Sequence, residues 1–151
     1  MLRSRRAARG SPPLPAFPAG LWEEIASAAV LRVIPVTVAA TAEGHRLTLS
    51  ALKVGRTGAR LTFTLVPPWL PARMERGQAP LPRPAGTGAD RHGTTYTLVP
   101  GPSEADGRRM TGELLLHPPP GPDAGWLDLD LSLGGLGAGQ GPAWRVRLAL
   151  E

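Results

Sequence analysis

The chain contains no cysteine. That absence excludes a disulfide framework, thiolate zinc sites, iron–sulfur clusters and a cysteine nucleophile together, although it does not fix the compartment. Long hydrophobic runs are also missing. The most apolar stretch, residues 25–40, is broken by Arg32 and Pro35, short of the roughly 20 apolar residues that a membrane span requires. The N-terminal MLRSRRAARG has the arginines of a signal-peptide n-region, but SPPLPAFPAG stands where an apolar h-region belongs, and Glu23 and Glu24 follow. The reading is a soluble, cytoplasmic chain. Lysine is nearly absent as well: Lys53 is the one lysine among 17 basic residues. An arginine bias of that kind, with abundant alanine, glycine and proline, is what a GC-rich genome produces without any anionic partner. The formal charge of +5, to which Arg3, Arg5, Arg6 and Arg9 contribute four, is therefore weak grounds for nucleic-acid binding.

What is present in quantity is glycine and proline, 19 and 18 of 151 residues, a share that borders on low complexity. Even so, 42% of residues are hydrophobic and they fall in alternating blocks, so one compact domain with long loops is expected. Residues 1–20 lack periodicity and carry four prolines after position 11; they read as a disordered basic arm. Residues 21–31, LWEEIASAAVL, have acids in the first turn and apolar positions at helical spacing, which predicts a short docking helix. Val33, Ile34, Val36 and Val38 then change the preference to β, with Pro35 confined to an edge strand or a bulge. In GHRLTLSALKV the alternation shifts phase at Ser50 and Ala51, as a β-bulge would require, and ARLTFTLV completes a hairpin.

Pro67 and Pro68 end that strand, and a connection through residue 93 follows that is long for a compact domain; it is either a crossover or a functional loop. TTYTLV and MTGELLLH are strands. WLDLDLSL alternates without error, and AWRVRLAL closes the chain with Trp144, Val146, Leu148 and Leu150 on one face. Pairing of these last two would set Arg145 and Arg147 opposite Asp128 and Asp130. One wet face per strand implies antiparallel pairing. The expectation is an all-β, antiparallel sandwich of about seven strands over residues 32–151, with a core of inward leucines, Trp126 and Trp144.

The order RVIPV, EGHRLTLSALKV, TGARLTFTLVPP, DRHGTTY, RRMTGELLLHPPP, LDLDLSL and WRVRLAL resembles that of uncharacterised immunoglobulin-like β-sandwich proteins of actinobacteria. The resemblance implies an immunoglobulin-like fold and carries no assigned reaction.

Chemistry is sparse. The glycine-rich loop GGLGAGQGP precedes a strand rather than a helix, so it reads as a hairpin connection and not a phosphate cradle. His45, His92 and His117 are far apart and lack metal-site spacing. No serine stands on a strand-to-helix turn, and Asp128 and Asp130 are explained by strand alternation. No cofactor or metal is expected. Asp90, Arg91 and His92 form the one dense polar cluster, read first as a turn or ion pair and second as a partner contact. Trp69, with Leu70 between prolines, either caps an open end of the fold or anchors a partner. Together Trp69, Leu70, Asp90, Arg91 and His92 would make an apolar centre with a polar rim. The function expected is thus a non-enzymatic protein-interaction module, using the 67–93 segment or an exposed strand edge. The alternatives are nucleic-acid or anionic-surface binding through the arginine arm, and a hydrolase site built around His92 with acids from distant loops.

Overall fold

A computed structural model describes residues 17–69, 82–133 and 141–150. One short helix, α1 (Leu21–Ser27), precedes eight strands: β1 (Arg32–Ala42), β2 (His45–Val54), β3 (Ala59–Val66), β4 (Pro84–Asp90), β5 (Thr95–Ala105), β6 (Met110–His117), β7 (Trp126–Leu133) and β8 (Ala143–Ala149). All neighbouring pairs are antiparallel, in the order β1-β2-β3-β6-β5-β4-β7-β8. The sheet curls until its two terminal strands, β1 and β8, approach each other, giving a nearly closed barrel.

The leucine alternation fixes which face is inside. Leu47, Leu49, Leu52, Leu61, Phe63, Leu65, Leu114, Leu116, Leu127, Leu129 and Leu148 are almost inaccessible and fill one interior cluster. Burial of that kind contributes about 1.5–3 kcal/mol per large side chain relative to exposure. Trp144 joins the cluster and donates from its indole to the His45 carbonyl at 3.1 Å. Trp126 does not: it shares parity with Asp128 and Asp130, so it faces outward and lies beneath the Arg147 guanidinium at 3.9 Å. The outer side of the β7–β8 pair carries Asp128 opposite Arg147 and Asp130 opposite Arg145, both ion-paired at 2.7 Å.

Irregularities fall where the alternation breaks. The register of β2 against β3 shifts between Leu49 and Ala51, at Ser50, and that of β1 against β2 between Pro35 and Val38. Pro35 thus lies on a strand at the end of the ladder and beside a bulge, both of which spare it a ladder hydrogen bond.

Besides the outward-facing Trp126, four features differ from the sequence expectation. The long connection after Pro67 is interrupted by β4, whose PAGTGAD sequence has no apolar alternation. It fits between β5 and β7 because Gly86 lies so close to the Asp130 carbonyl oxygen that any side chain there would collide with it. The strand beginning at Thr95 runs on through Pro100–Pro102 to Ala105, absorbing the prolines in a register shift between Pro100 and Ser103. The helix ends at Ser27 rather than continuing to residue 31, since Ala28 is already extended and Arg60 takes the carbonyls of Ile25, Ala26 and Ala28 at 3.2, 2.9 and 3.0 Å. Finally, the last residues of the supposed arm are docked. Phe17 packs edge-on against Trp22 and His117, at 5.2 and 5.6 Å between ring centroids, and together with Leu21, Ile25 and the outward-facing Leu115 forms a small second cluster outside the barrel. Arm residues 1–16 lie outside the described residues.

Candidate functional site

The DRHG segment makes the turn between β4 and β5. Asp at its first position and Gly at its fourth suit a type I turn closed by a left-handed residue; the Gly93 N–H donates to the Asp90 carbonyl at 3.0 Å, and Gly93 has φ 84°. The carboxylate of Asp90 is buried and completes the turn. Its Oδ1 accepts from the backbone N–H of His92 and of Thr94 at 2.9 and 3.0 Å, and its Oδ2 accepts from the Tyr96 hydroxyl at 2.7 Å. Burial alone pushes the Asp90 carboxyl up, but those three donors and the nearby His92 outweigh it and hold the group below its ordinary value. Tyr96, 3% exposed, responds in the opposite sense: burial first, and then its bond to the Asp90 anion, raise the phenol well above its ordinary range. Asp90 is therefore a fixed anion occupied by its own turn, with no proton to exchange near neutral pH.

Arg91 and His92 are exposed and reach away from Asp90 to the loop between β6 and β7. Arg91 Nε donates to the Asp123 carbonyl at 3.0 Å, the Arg91 N–H to the Ala124 carbonyl at 3.4 Å, and His92 Nε2 to the Asp123 carbonyl at 3.1 Å. The Asp123 carboxylate is 3.6 Å from the same nitrogen. Asp123 is an acid from a distant loop, as a hydrolase would need, yet His92 spends a ring proton on a carbonyl, and among the described residues no hydroxyl is hydrogen-bonded to the ring. What the arrangement does is fasten one barrel-end turn to the neighbouring loop.

Trp69 is elsewhere. It follows β3, packs against the edge of the core, and its ring lies against Gly141, just ahead of β8. Pro84 at the start of β4 pairs with Leu133, whereas Asp90 at its end pairs with Leu127. Trp69 and the Asp90–His92 turn thus sit at opposite ends of the barrel, and the single patch expected from the sequence is not assembled. Half-buried against Gly141, Trp69 caps its end of the barrel. Leu70 lies outside the described residues, as do residues 134–140 of the glycine-rich loop.

The other histidines also serve backbone. Nδ1 of His45 donates to the Pro67 carbonyl at 2.8 Å, and Nδ1 of His117 to the Thr57 carbonyl at 2.9 Å. An open depression of about 240 Å³ is lined by Asp130, Leu131, Ser132, Ala143, Trp144 and Arg145, with Asp130 and Arg145 already paired across it.

Sequence reasoning passes over one surface. Val30 and Leu31, just ahead of the terminal strand β1, and Val33 at its start are 40%, 67% and 57% exposed. The signal lies in the run VLRVIPV, where apolar residues occupy both parities: Ile34 and Val36 serve the core, so Val33 and Pro35 are left to face outward. On that outer face Val33 stands beside Lys53 of β2. A comparison with protein-family models, with curated proteins and with solved structures finds no match to this chain.

Proposed function

We propose that the chain is a non-enzymatic protein-interaction module, working in the cytoplasm and docking its partner at the start of β1. The observation that carries this reading is the exposure of Val30 and Leu31, just ahead of β1, and of Val33 within it, on a strand that among the described residues has no hydrogen-bonded neighbour on its outer edge. Exposed apolar side chains grouped on a sheet edge are costly to leave uncovered and invite strand addition or apolar docking. Asp90, Arg91 and His92, the polar rim expected from the sequence, act here by bracing the barrel end rather than by touching the partner. The immunoglobulin-like comparison belongs to the same proposal: the barrel divides naturally into the halves β1-β2-β3-β6 and β5-β4-β7-β8, with the Pro100–Ser103 register shift at the corner between them. The actinobacterial resemblance supplies the precedent of a sandwich without an assigned reaction.

The test is capture of partners from an extract of the source cells by the full chain and by a Leu31→Lys, Val33→Lys double variant. Two lysines on an apolar contact should reduce recovery at least about tenfold while the thermal transition stays close to that of the unmodified chain. Equal recovery by both would refute this docking surface.

A further inference from the structure

Helix α1 lies in a seat that the strands build for it. Ile25 rests over Gly58, where any side chain would collide with it, and together with Leu21 packs on Leu115 of β6. Arg60 of β3 takes the carbonyls at the helix end, and the Thr57 hydroxyl donates to Glu24. Phe17 and Trp22 meet His117 edge-on, at 5.6 and 6.3 Å between ring centroids. Residues 28–31 join this seated unit to β1; the chain bends at Ala28 and again at Leu31, and none of the four side chains belongs to either apolar cluster. Val30 and Leu31 are in that joint and Val33 comes just after it. The exposed apolar group is thus the hinge of a segment for which every copy of the chain carries a fitted receptor.

We infer that the occupant of this surface is a second copy of the chain, in a twofold dimer in which each copy lays residues 17–27 in the seat of the other. This rests on the docking surface proposed above and names its partner. Exchange remakes between two copies the contacts that one chain makes within itself, so none of them is lost. A twofold axis through the hinges adds a contact that the single chain lacks, because it sets Val30, Leu31 and Val33 against their counterparts, apolar on apolar. Arg32 does not oppose that approach: it alternates with Leu31 and Val33, and its guanidinium reaches the Pro120 carbonyl at 3.4 Å. Area separates exchange from simple docking. Three side chains that are 40%, 67% and 57% exposed fall far short of the roughly 1,200 Å² of total area that a stable interface buries, whereas exchange adds Phe17, Leu21, Trp22 and Ile25 of each copy to the burial between chains. No strand is added to β1, whose outer edge, with β8 alongside, keeps its backbone as it is.

The experiment uses the full chain, in which the absence of native cysteine makes single-cysteine variants specific. Sedimentation velocity from about 1 to about 300 μM should show a dimer that grows with concentration, and a Val30→Ser, Leu31→Ser variant should weaken it at least about tenfold. An equimolar mixture of a Glu24→Cys and a Thr57→Cys variant, equilibrated and then treated with a short bismaleimide, should give at least about tenfold more covalent dimer than either variant alone. The two positions meet between chains only when the helix of one copy lies in the seat of the other. Should a cysteine variant fail to fold, isotope-filtered NOE spectra on a mixture of labelled and unlabelled unmodified chain decide instead, through contacts between Ile25 of one copy and Leu115 of the other. A chain that stays monomeric throughout, or a dimer with neither the mixed cross-link nor those contacts, overturns the inference. A monomeric chain whose partner capture is still lost with the lysine substitutions at Leu31 and Val33 would leave the docking surface standing and remove the second copy as its occupant; capture indifferent to those lysines removes the docking surface itself.

Discussion

Asp90 shows how a polar cluster that looks like chemistry is used up by structure. A carboxylate that receives three hydrogen bonds while buried is stabilised as an anion, and each of its donors belongs to the hairpin that it closes. Because its folded pKa lies below the ordinary 3.8, the stability it contributes is complete above about that pH and is lost as pH falls through the folded value. An Asp90→Asn variant should accordingly show a shallower loss of stability between about pH 4 and pH 2 in urea titrations. Tyr96 gives a cleaner measurement, because it is the one tyrosine in the chain. Absorbance of the phenolate at about 295 nm should titrate with a midpoint well above 10.0 in the folded protein and return to about that value in denaturant. A native midpoint near the ordinary value would contradict the Asp90–Tyr96 contact. Tyr96→Phe, which leaves Oδ2 of Asp90 without its donor, should cost about 1–3 kcal/mol.

At the scale of single elements, the strands with strict alternation are legible in the sequence. LDLDLSL and WRVRLAL put their leucines, Val146 and Trp144 inside and their charges outside, because a slip of one residue would bury Arg145 and Arg147. The Ser50 bulge is equally readable from a break in phase. Trp144→Ala should cost about 3–5 kcal/mol in chemical denaturation, and Trp126→Ala, on the outer face, far less; equal effects would mean the register of β7 and β8 is wrong. β4 is illegible for a physical reason. A strand between two others needs little side-chain volume where the neighbouring backbones crowd it, so glycine replaces the alternating signal that identifies strands elsewhere. Gly86→Ala should destabilise by about 1–3 kcal/mol or more, as forced overpacking does. Gly107→Ala, in a turn where an added methyl group meets nothing within 4 Å, should stay within about 0.5 kcal/mol. Similar costs at both positions would argue against close packing of β4 on β7. The helix is legible but its end is not, because that end is set by Arg60, thirty-odd positions away in sequence, and no local pattern announces a tertiary cap.

At the scale of the molecule, alternation reports which residues face inward but not how the strands are ordered. The order β3-β6-β5-β4-β7 requires β4, the strand with the weakest sequence signal, to sit between β5 and β7; without it, about seven strands is the natural count. The same gap misplaces the candidate site. Trp69 and Asp90 are close in space only if the segment between them is a loop, and a strand of seven residues carries them to opposite ends of the barrel. Exposed apolar side chains at the start of β1 are hidden for a related reason, since a run such as VLRVIPV shows that both faces are apolar without showing which strand is last in the sheet. Among the described residues, no helix is long and apolar enough to cross a membrane.

The proposed docking surface requires that β1 end the sheet, as it does among the described residues, with β8 close by but not hydrogen-bonded to it. Native-state amide hydrogen exchange on the full chain tests this directly. Strands β2, β3 and β7, paired on both sides, should exchange slowly throughout, whereas residues 30–36 should exchange at least about a hundredfold faster, through local opening rather than global unfolding. Protection of residues 30–36 equal to that of β3 would mean that the seam is closed or covered within the chain, and the docking surface would have to be sought elsewhere.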